Sequence, residues 1–448
     1  MSMKLTEIQT QPEVSKPSSA LPEPVLFWII VVISSCALLI LRRPDAVFHA
    51  QFWAEDGNIW YAQAYNIGAL RALRILYNGY LQILPRLAVI VALWVPLAHA
   101  PLVLNLIALM IEALPAWFLV STRMRNAGPL WLRCVLAVLY LSVPNSIEIH
   151  ATITDSQWHM AVLGCLILIA EVPQSRAGQA FDVLVLALCA LTGPFCILLL
   201  PVGFIQAMAP WLARNSKDPQ PIRPAGHWHW IQLSVLATGG LVQGAVLFTA
   251  GGGRAHTTLG ASTANLCRIV AGQIILPLFQ GRNRLDHMAN NPARVTSLAE
   301  LVTIVGALAF VYALWRGSVA LRCFVLFALL VLAASLTFPV PAPASYQWEP
   351  LLVPGLALRY WYVPKLALMA TLLWLVGRQH PVPIRVVAAI LTCVMAFGML
   401  KHWQYPALPD FHFAAYARQF DRLPSGASIQ IPLNPGGPWF MTLVKKVD

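Results

Sequence analysis

Charge is the scarcest commodity in this sequence. Asp, Glu, Lys and Arg make up 11% of the residues against 58% for the hydrophobic types, and the mean hydropathy is +0.67. Soluble domains carry about 25% charged residues, so a mainly soluble chain is excluded. Acids are scarcer still, with 18 Asp and Glu against 30 Lys and Arg, for a formal net charge of +12. That excess is spread over loops and forms no basic block, which argues against nucleic acid as a partner and for lipid phosphates as the counter-charge. A disulfide framework and a Cys-x-x-Cys metal pair are also lacking. Of the eight cysteines, Cys36, Cys134, Cys165, Cys189, Cys196, Cys323 and Cys393 fall in apolar runs, and only Cys267 is close to a loop. The glycine run at Gly251, Gly252 and Gly253 has no Lys-Ser/Thr behind it, so it is no phosphate loop.

What the sequence does have is a series of apolar runs long enough to cross a hydrocarbon layer of about 30 Å as helices. Eleven are expected to span: 25–42, 102–121, 131–145, 158–172, 181–192, 195–212, 229–248, 298–315, 319–338, 359–376 and 383–400. The expected fold is an all-α polytopic membrane protein with about eleven transmembrane helices over 25–400. Interfacial helices are expected in the first outer loop, and a small α/β outer segment at 401–448. Residues 1–24 are polar and rich in Pro and Ser and read as a disordered cytoplasmic tail. Neither a basic n-region nor an Ala-x-Ala site flanks the run at 25–42, which therefore reads as an uncleaved span.

Residues 83–98 are apolar but short, and they contain Pro85, Arg86 and Pro96. Laying them along or into the membrane, not across it, puts the loop Ser121–Arg133 on the side opposite Asp56. Arg176, then Arg214, Lys217 and Arg223, then Arg316 and Arg322, then Arg378 and Arg385 all join that loop on the side of the N-terminus. The positive-inside rule makes this side cytoplasmic, in a cell inner membrane. Arg42 and Arg43, at the outer end of the first span, run against it. The outer face then holds the loops 43–101, 146–157, 249–297 and 339–358 together with the tail, and nearly every unusual polar residue.

Four stretches of that face carry candidate chemistry. The first loop has Phe52-Trp53-Ala54-Glu55-Asp56-Gly57, two adjacent carboxylates in an aromatic setting, for which a simple turn is the competing reading. Beyond it, Arg71, Arg74 and Asn78 share one helical face and Ala69, Leu73 and Leu76 the other, a pattern that suits an interfacial helix before Gly79-Tyr80 and Pro85-Arg86. The second loop has Glu148, His150, Asp155 and His159 within twelve residues. A metal reading of Glu148, His150 and His159 is weak because the spacing is not that of a zincin, and Asp155 also suits a helix N-cap. The third has Arg254 and His256, then Arg282, Arg284, Asp286 and His287, with the two arginines at 282 and 284 as phosphate ligands. The fourth leads into Arg359-Tyr360-Trp361-Tyr362, where a guanidinium in an aromatic belt either holds a lipid phosphate or anchors its span.

The order of span, acidic pair with Gly, interfacial helix, Gly-Tyr and Pro-Arg, then a second acid after the third span, resembles the GT-C superfamily of polytopic glycosyltransferases. These use polyprenyl-phosphate-linked sugars. The likeness is clearest over 25–172 and returns at Arg359-Tyr360. It implies Asp56 as base or acceptor-positioning group, with Glu55 as second choice, and Asp155 as the second acid. Arg359 and Tyr360 would meet the carrier phosphate, backed by Arg86 or by Arg282 and Arg284. Glu148, His150, His159 and Tyr80 would be acceptor-side or supporting groups. The implied partners are a polyprenyl-phosphate-linked sugar, a glycan, lipid or protein acceptor, and the bilayer; a divalent metal is left open as cofactor. The competing class is a transporter or flippase of a lipid-linked saccharide, which needs mid-span charges or matched broken halves. Glu112 is the main such charge. A third class, a non-catalytic assembly subunit, would have no need of Asp56.

Overall fold

A computed structural model describes residues 25–214, 227–249, 258–280, 292–339, 345–353 and 355–446. Residues 1–24, the glycine run with Arg254 and His256, and Arg282, Arg284, Asp286 and His287 lie outside the described residues. The principal helices, numbered in chain order, are α1 (Val25–Arg42), α2 (Ile83–Ala92), α3 (Ala100–Val120), α4 (Leu130–Leu141), α5 (Ser156–Ile169), α6 (Arg176–Ala190), α7 (Phe195–Arg214), α8 (Trp228–Thr249), α9 (Pro292–Arg316), α10 (Val319–Thr337), α11 (Leu358–Leu375), α12 (Val382–Lys401) and α13 (Phe413–Asp421). Each of the eleven expected runs overlaps one of them. Among the described residues, six helical stretches are long and apolar enough to cross a membrane: Val25–Arg42, Leu97–Val120, Trp228–Thr249, Thr296–Arg316, Val319–Thr337 and Val382–Lys401.

An apolar helix without a polar stripe has to be enclosed. Every residue of α5 is buried, as is most of α11, and these two form the centre of the bundle. Around them, α1, α8, α9 and α12 turn rows such as Leu26, Ile30 and Ile33, or Leu301, Leu308 and Val311, outward. Such faces suit hydrocarbon.

Helix α2 has ten residues. At 1.5 Å per residue that is about 15 Å, half a hydrocarbon layer, too short to cross alone. The turn between α3 and α4 lies at the far end of the bundle from Asp56. There Glu171 N–H donates to the Arg123 carbonyl at 2.9 Å and the Asn126 amide donates to the Ile169 carbonyl at 2.5 Å, both at the C-terminal end of α5. Asp155 sits at the other end of that helix, the same end as Asp56. At the far end, Arg123 grips the buried Asp182 at 2.5 and 2.9 Å, while Trp228 and Gln232 donate to the same carboxylate at 3.3 and 3.0 Å. One carboxylate thus ties α6, α8 and the α3–α4 turn together.

The first loop differs from expectation. The interfacial helix expected around 69–78 is a single turn, Ala69–Ala72, and the main helical segment comes earlier, as a π-turn at Asp56–Tyr61 running into Ala62–Ile67. Asn78 and Gly79, at φ 53° and 82°, make a tight turn that pairs Tyr77 with Tyr80. Asn-Gly is the preferred pair for a turn needing two positive φ angles, and it outcompeted the helical face.

The tail is α13 followed by an antiparallel hairpin of β1 (Ser428–Pro432) and β2 (Phe440–Val444). The expected α/β character is present, and Met441 and Leu443 alternate inward against Ile429 and Ile431. The tail returns to the Asp56 end, where Ala54 N–H donates to the Asn434 carbonyl at 2.6 Å and Tyr405 N–H to that of Arg42 at 2.7 Å.

Candidate functional site

The Asp56 end is built around the irregular segment 142–155. A chain without a regular ladder must find partners for its backbone elsewhere, and here the partners are mostly charged. Arg42 donates to the carbonyls of Leu141 and Val143 at 2.6 and 2.8 Å. Lys365, from inside α11, donates to those of Pro144 and Asn145 at 3.4 and 3.0 Å. Carboxylates take the amides: Glu112 accepts from Ala151 at 3.4 Å, and Asp56 accepts from Ile153 and Thr154 at 3.1 and 2.9 Å. Basic side chains therefore hold the carbonyls and carboxyl groups hold the N–H groups. Asn145 and Ala151 are held in the left-handed region, both at φ 54°, an arrangement that lasts only where the surroundings enforce it.

Asp56 is 1% exposed and also accepts from the Thr154 hydroxyl at 2.5 Å. Thr154 in turn accepts from the indole of the buried Trp60 at 2.7 Å. Burial pushes the Asp56 carboxyl up to about 7 against the pull of these hydrogen bonds. Asp155 occupies the N-cap position of α5 but makes no side-chain capping bond there. Burial, then the charges of Glu55 and Asp56, push its carboxyl well above the usual range. Glu55 is the one of these three acids with solvent access, and its carboxylate accepts from the Tyr77 hydroxyl at 3.4 Å. Tyr77 is raised by burial and then by Glu55, and Arg359 lies close enough to pull it back. Glu55, Tyr77, Tyr80 and Arg359 therefore share one patch, with Asp155 behind it.

Arg359 enters from the second residue of α11. Its guanidinium and its backbone N–H both hold Glu148, and it lies 5.0 Å over the Tyr360 ring. Tyr360 and Trp158 approach to 5.9 Å, and Tyr362 and His159 to 5.3 Å. The N-terminal turns of the two central helices are thereby side by side, and both helix dipoles present their positive ends to the patch.

Glu55, Asp155, Arg359, Tyr360, Glu148 and Tyr80 are thus brought together at this rim. Asp56 is there as well, but sealed under segment 142–155 as its anchor. Arg86 turns inward: it is 2% exposed, lies 5.0 Å over Trp60, and gives its terminal nitrogens to Gln63 at 3.1 Å and the Ile75 carbonyl at 2.7 Å. It braces the first loop, with both terminal nitrogens engaged there. The weak metal reading fails on geometry. Glu148 holds Arg359, His150 meets Glu112 at 3.0 Å, and His159 lies between the Tyr140 hydroxyl at 2.7 Å and the Ile149 carbonyl at 3.1 Å. No group of three or more His, Cys, Asp or Glu among the described residues could hold a metal ion. Burial pushes the His150 imidazole down, toward the neutral form.

Tyr77, Thr154, Arg42 and Lys365 were missed. Arg42 had left a trace, as a cation breaking the charge rule at the wrong end of a span, and Lys365 another, as a lone charge inside an apolar run. Away from the rim, an apolar cleft of about 160 Å³ opens between α3, α4, α5, α10 and α11, lined by Leu136, Val162, Leu166, Phe324 and Leu366 among others and reaching Tyr140. A scan against protein-family models finds no match for this chain, and neither does a search of curated proteins.

Proposed function

We propose that the protein is a membrane glycosyltransferase of GT-C type. It moves a sugar from a polyprenyl-phosphate-linked donor to a cell-envelope acceptor at the outer face of the inner membrane. Its eleven apolar helices α1, α3–α11 and α12 all cross, with the N-terminus cytoplasmic. The observation that carries this reading is the pairing at the rim: the two central helices start side by side, one behind Asp155 and the other at Arg359, with Glu55 open to solvent beside them. Glu55 takes the proton of the acceptor hydroxyl, whose oxygen forms a bond to the anomeric carbon as the bond from that carbon to the phosphate oxygen breaks. Arg359 and the two helix N-termini receive the negative charge that develops on the leaving phosphate, where exclusion of water makes them most effective. Asp155 stands buried behind Glu55, which is the solvent-facing acid of the cluster. Asp56 is a positioning residue that fixes segment 142–155. The apolar cleft is room for part of the lipid tail.

The test is mass spectrometry of surface glycans and envelope lipids with and without the gene, then with Glu55→Gln and Arg359→Ala restored in its place. Loss of one glycan species in all three defective strains is expected. Unaltered glycans in both variants would remove the transferase reading. The second reading, a flippase for a lipid-linked saccharide, draws on Glu112 and Lys365 as ionisable groups within helices. Both are engaged by segment 142–155, which gives them a structural use. Reconstituted liposomes that translocate a fluorescent lipid-linked saccharide would favour that class.

A further inference from the structure

The first turn of α11 is a seat for an anion, and the protein itself fills it. The Arg359 guanidinium donates to one oxygen of Glu148, and the Arg359 backbone N–H donates to the other at 3.2 Å. A single carboxylate is gripped by a guanidinium and by an amide at a helix N-terminus, the two donor types that also bind phosphate oxygens. The Tyr360 ring, 5.0 Å from the guanidinium carbon, backs its plane. The pair is reachable, with side-chain exposures of 27% for Arg359 and 16% for Glu148. Glu148 is carried on the short turn Ile147–Ile149, next to the rim acids, so the carboxylate can leave the seat without unfolding a long helix.

We propose that Glu148 is an internal stand-in for a phosphate mono- or diester: it occupies the Arg359 seat in the empty protein, and the incoming phosphate displaces it. This rests on the transferase reading only in taking that phosphate to be attached to a lipid. A phosphate carries at least the charge of the carboxylate and has more oxygens to offer the fork, so it wins the exchange. Until it arrives, the guanidinium is neither left bare nor free to engage Glu55. Donor affinity is then set by competition with Glu148, and weakening Glu148 tightens phosphate binding.

The experiment measures binding to the full-length protein in nanodiscs of zwitterionic phospholipid, with farnesyl phosphate, inorganic phosphate and farnesol as probes. Glu148→Gln is expected to tighten farnesyl phosphate by about tenfold, the size of one charge-assisted hydrogen bond. Arg359→Ala is expected to abolish binding, and farnesol to respond to neither change. A gain confined to farnesyl phosphate assigns the seat to a lipid-borne phosphate, and a gain shared with inorganic phosphate assigns it to the bare group. Equal or weaker binding by a folded Glu148→Gln protein overturns the proposal. Should that variant not assemble, Glu148→Asp decides: it keeps the charge with a shorter reach, a smaller gain is expected, and no gain overturns. Sugar transfer is scored separately. Tightening without any transfer leaves the seat standing and removes the transferase, whereas transfer without tightening does the reverse.

Discussion

At the scale of single residues, the two neighbouring acids of the first loop have different duties, and they can be separated by experiment. Asp56 accepts three hydrogen bonds and has no access to solvent. Its folded carboxyl holds its proton up to about pH 7, whereas an unfolded one ionises near its ordinary value of 3.8. A raised carboxyl favours the folded state fully below the unfolded value, and that contribution is lost as pH rises through the folded one, by at most about 1.4 kcal/mol per pH unit. Asp56 should therefore contribute a fall in the melting temperature of the detergent-solubilised protein as pH is raised from 4 to 7, a window in which Asp155 acts in the same direction and His150, pushed toward the neutral form, in the opposite one. Asp56→Asn should lack the Asp56 contribution, so that its melting temperature falls less, or rises more, than that of the parent over that window. Equal slopes in the two proteins would show that Asp56 does not titrate there. Glu55→Gln should act on the chemistry instead, cutting transfer by about 10²-fold or more, the range of a general base. The sequence marked both acids but not which of them faces outward. That depended on Thr154 and Ile153, nearly a hundred residues away, and no local pattern announces such a contact.

At the scale of elements, the helices were legible because a long apolar run in a chain with 11% charge admits little else. The irregular segments were not, because their conformation is set by partners from elsewhere in the chain. Segment 142–155 illustrates this. Lys365→Met would leave the carbonyls of Pro144 and Asn145 without their donor, at a cost of about 1–3 kcal/mol. A measured loss of thermal stability, with faster hydrogen exchange localised to 142–155, is the expected result; unchanged exchange would mean that other contacts hold the segment. The junction between first loop and tail is equally specific. A Cβ built on Gly57 would come within 2.8 Å of the Leu433 side chain and 3.0 Å of the Phe52 Cβ. Leu433 is buried at 1% exposure and has little room to yield. Gly57→Ala should accordingly cost about 1–3 kcal/mol as overpacking and loosen the tail, so that limited proteolysis cuts within 401–446 sooner than in the parent protein. Equal cleavage rates would show that the hairpin does not rest on Gly57.

At the scale of the whole molecule, the short central helices and the braced segment explain each other. Helices α4 and α5 have twelve and fourteen residues, about 18 and 21 Å, so neither fills a layer of about 30 Å alone. With both crossing, as proposed, the irregular segment joining them lies at membrane depth. Non-helical backbone is tolerated there only when enclosed by protein with its polar groups satisfied. Arg42, Lys365, Glu112 and Asp56 perform that duty, which is why these polar groups stand beside apolar runs and why Arg42 runs against the count of loop charges. In the proposed orientation the patch of Glu55, Asp155 and Arg359 is recessed into the outer interface, where the proposed carrier phosphate at headgroup level would meet it. The alternation of ends can be tested with single cysteines at exposed positions in a cysteine-free background. Arg74 in the first loop and Arg422 in the tail lie at the Asp56 end, while Arg125 and Gln379 lie at the other. A membrane-impermeant maleimide applied to intact spheroplasts should label cysteines at 74 and 422 but reach those at 125 and 379 only after lysis. Labelling of 74 and 125 from the same side would place the acids and the α3–α4 turn on one face. The bundle would then not be a vessel with its reactive rim turned away from the cytoplasm.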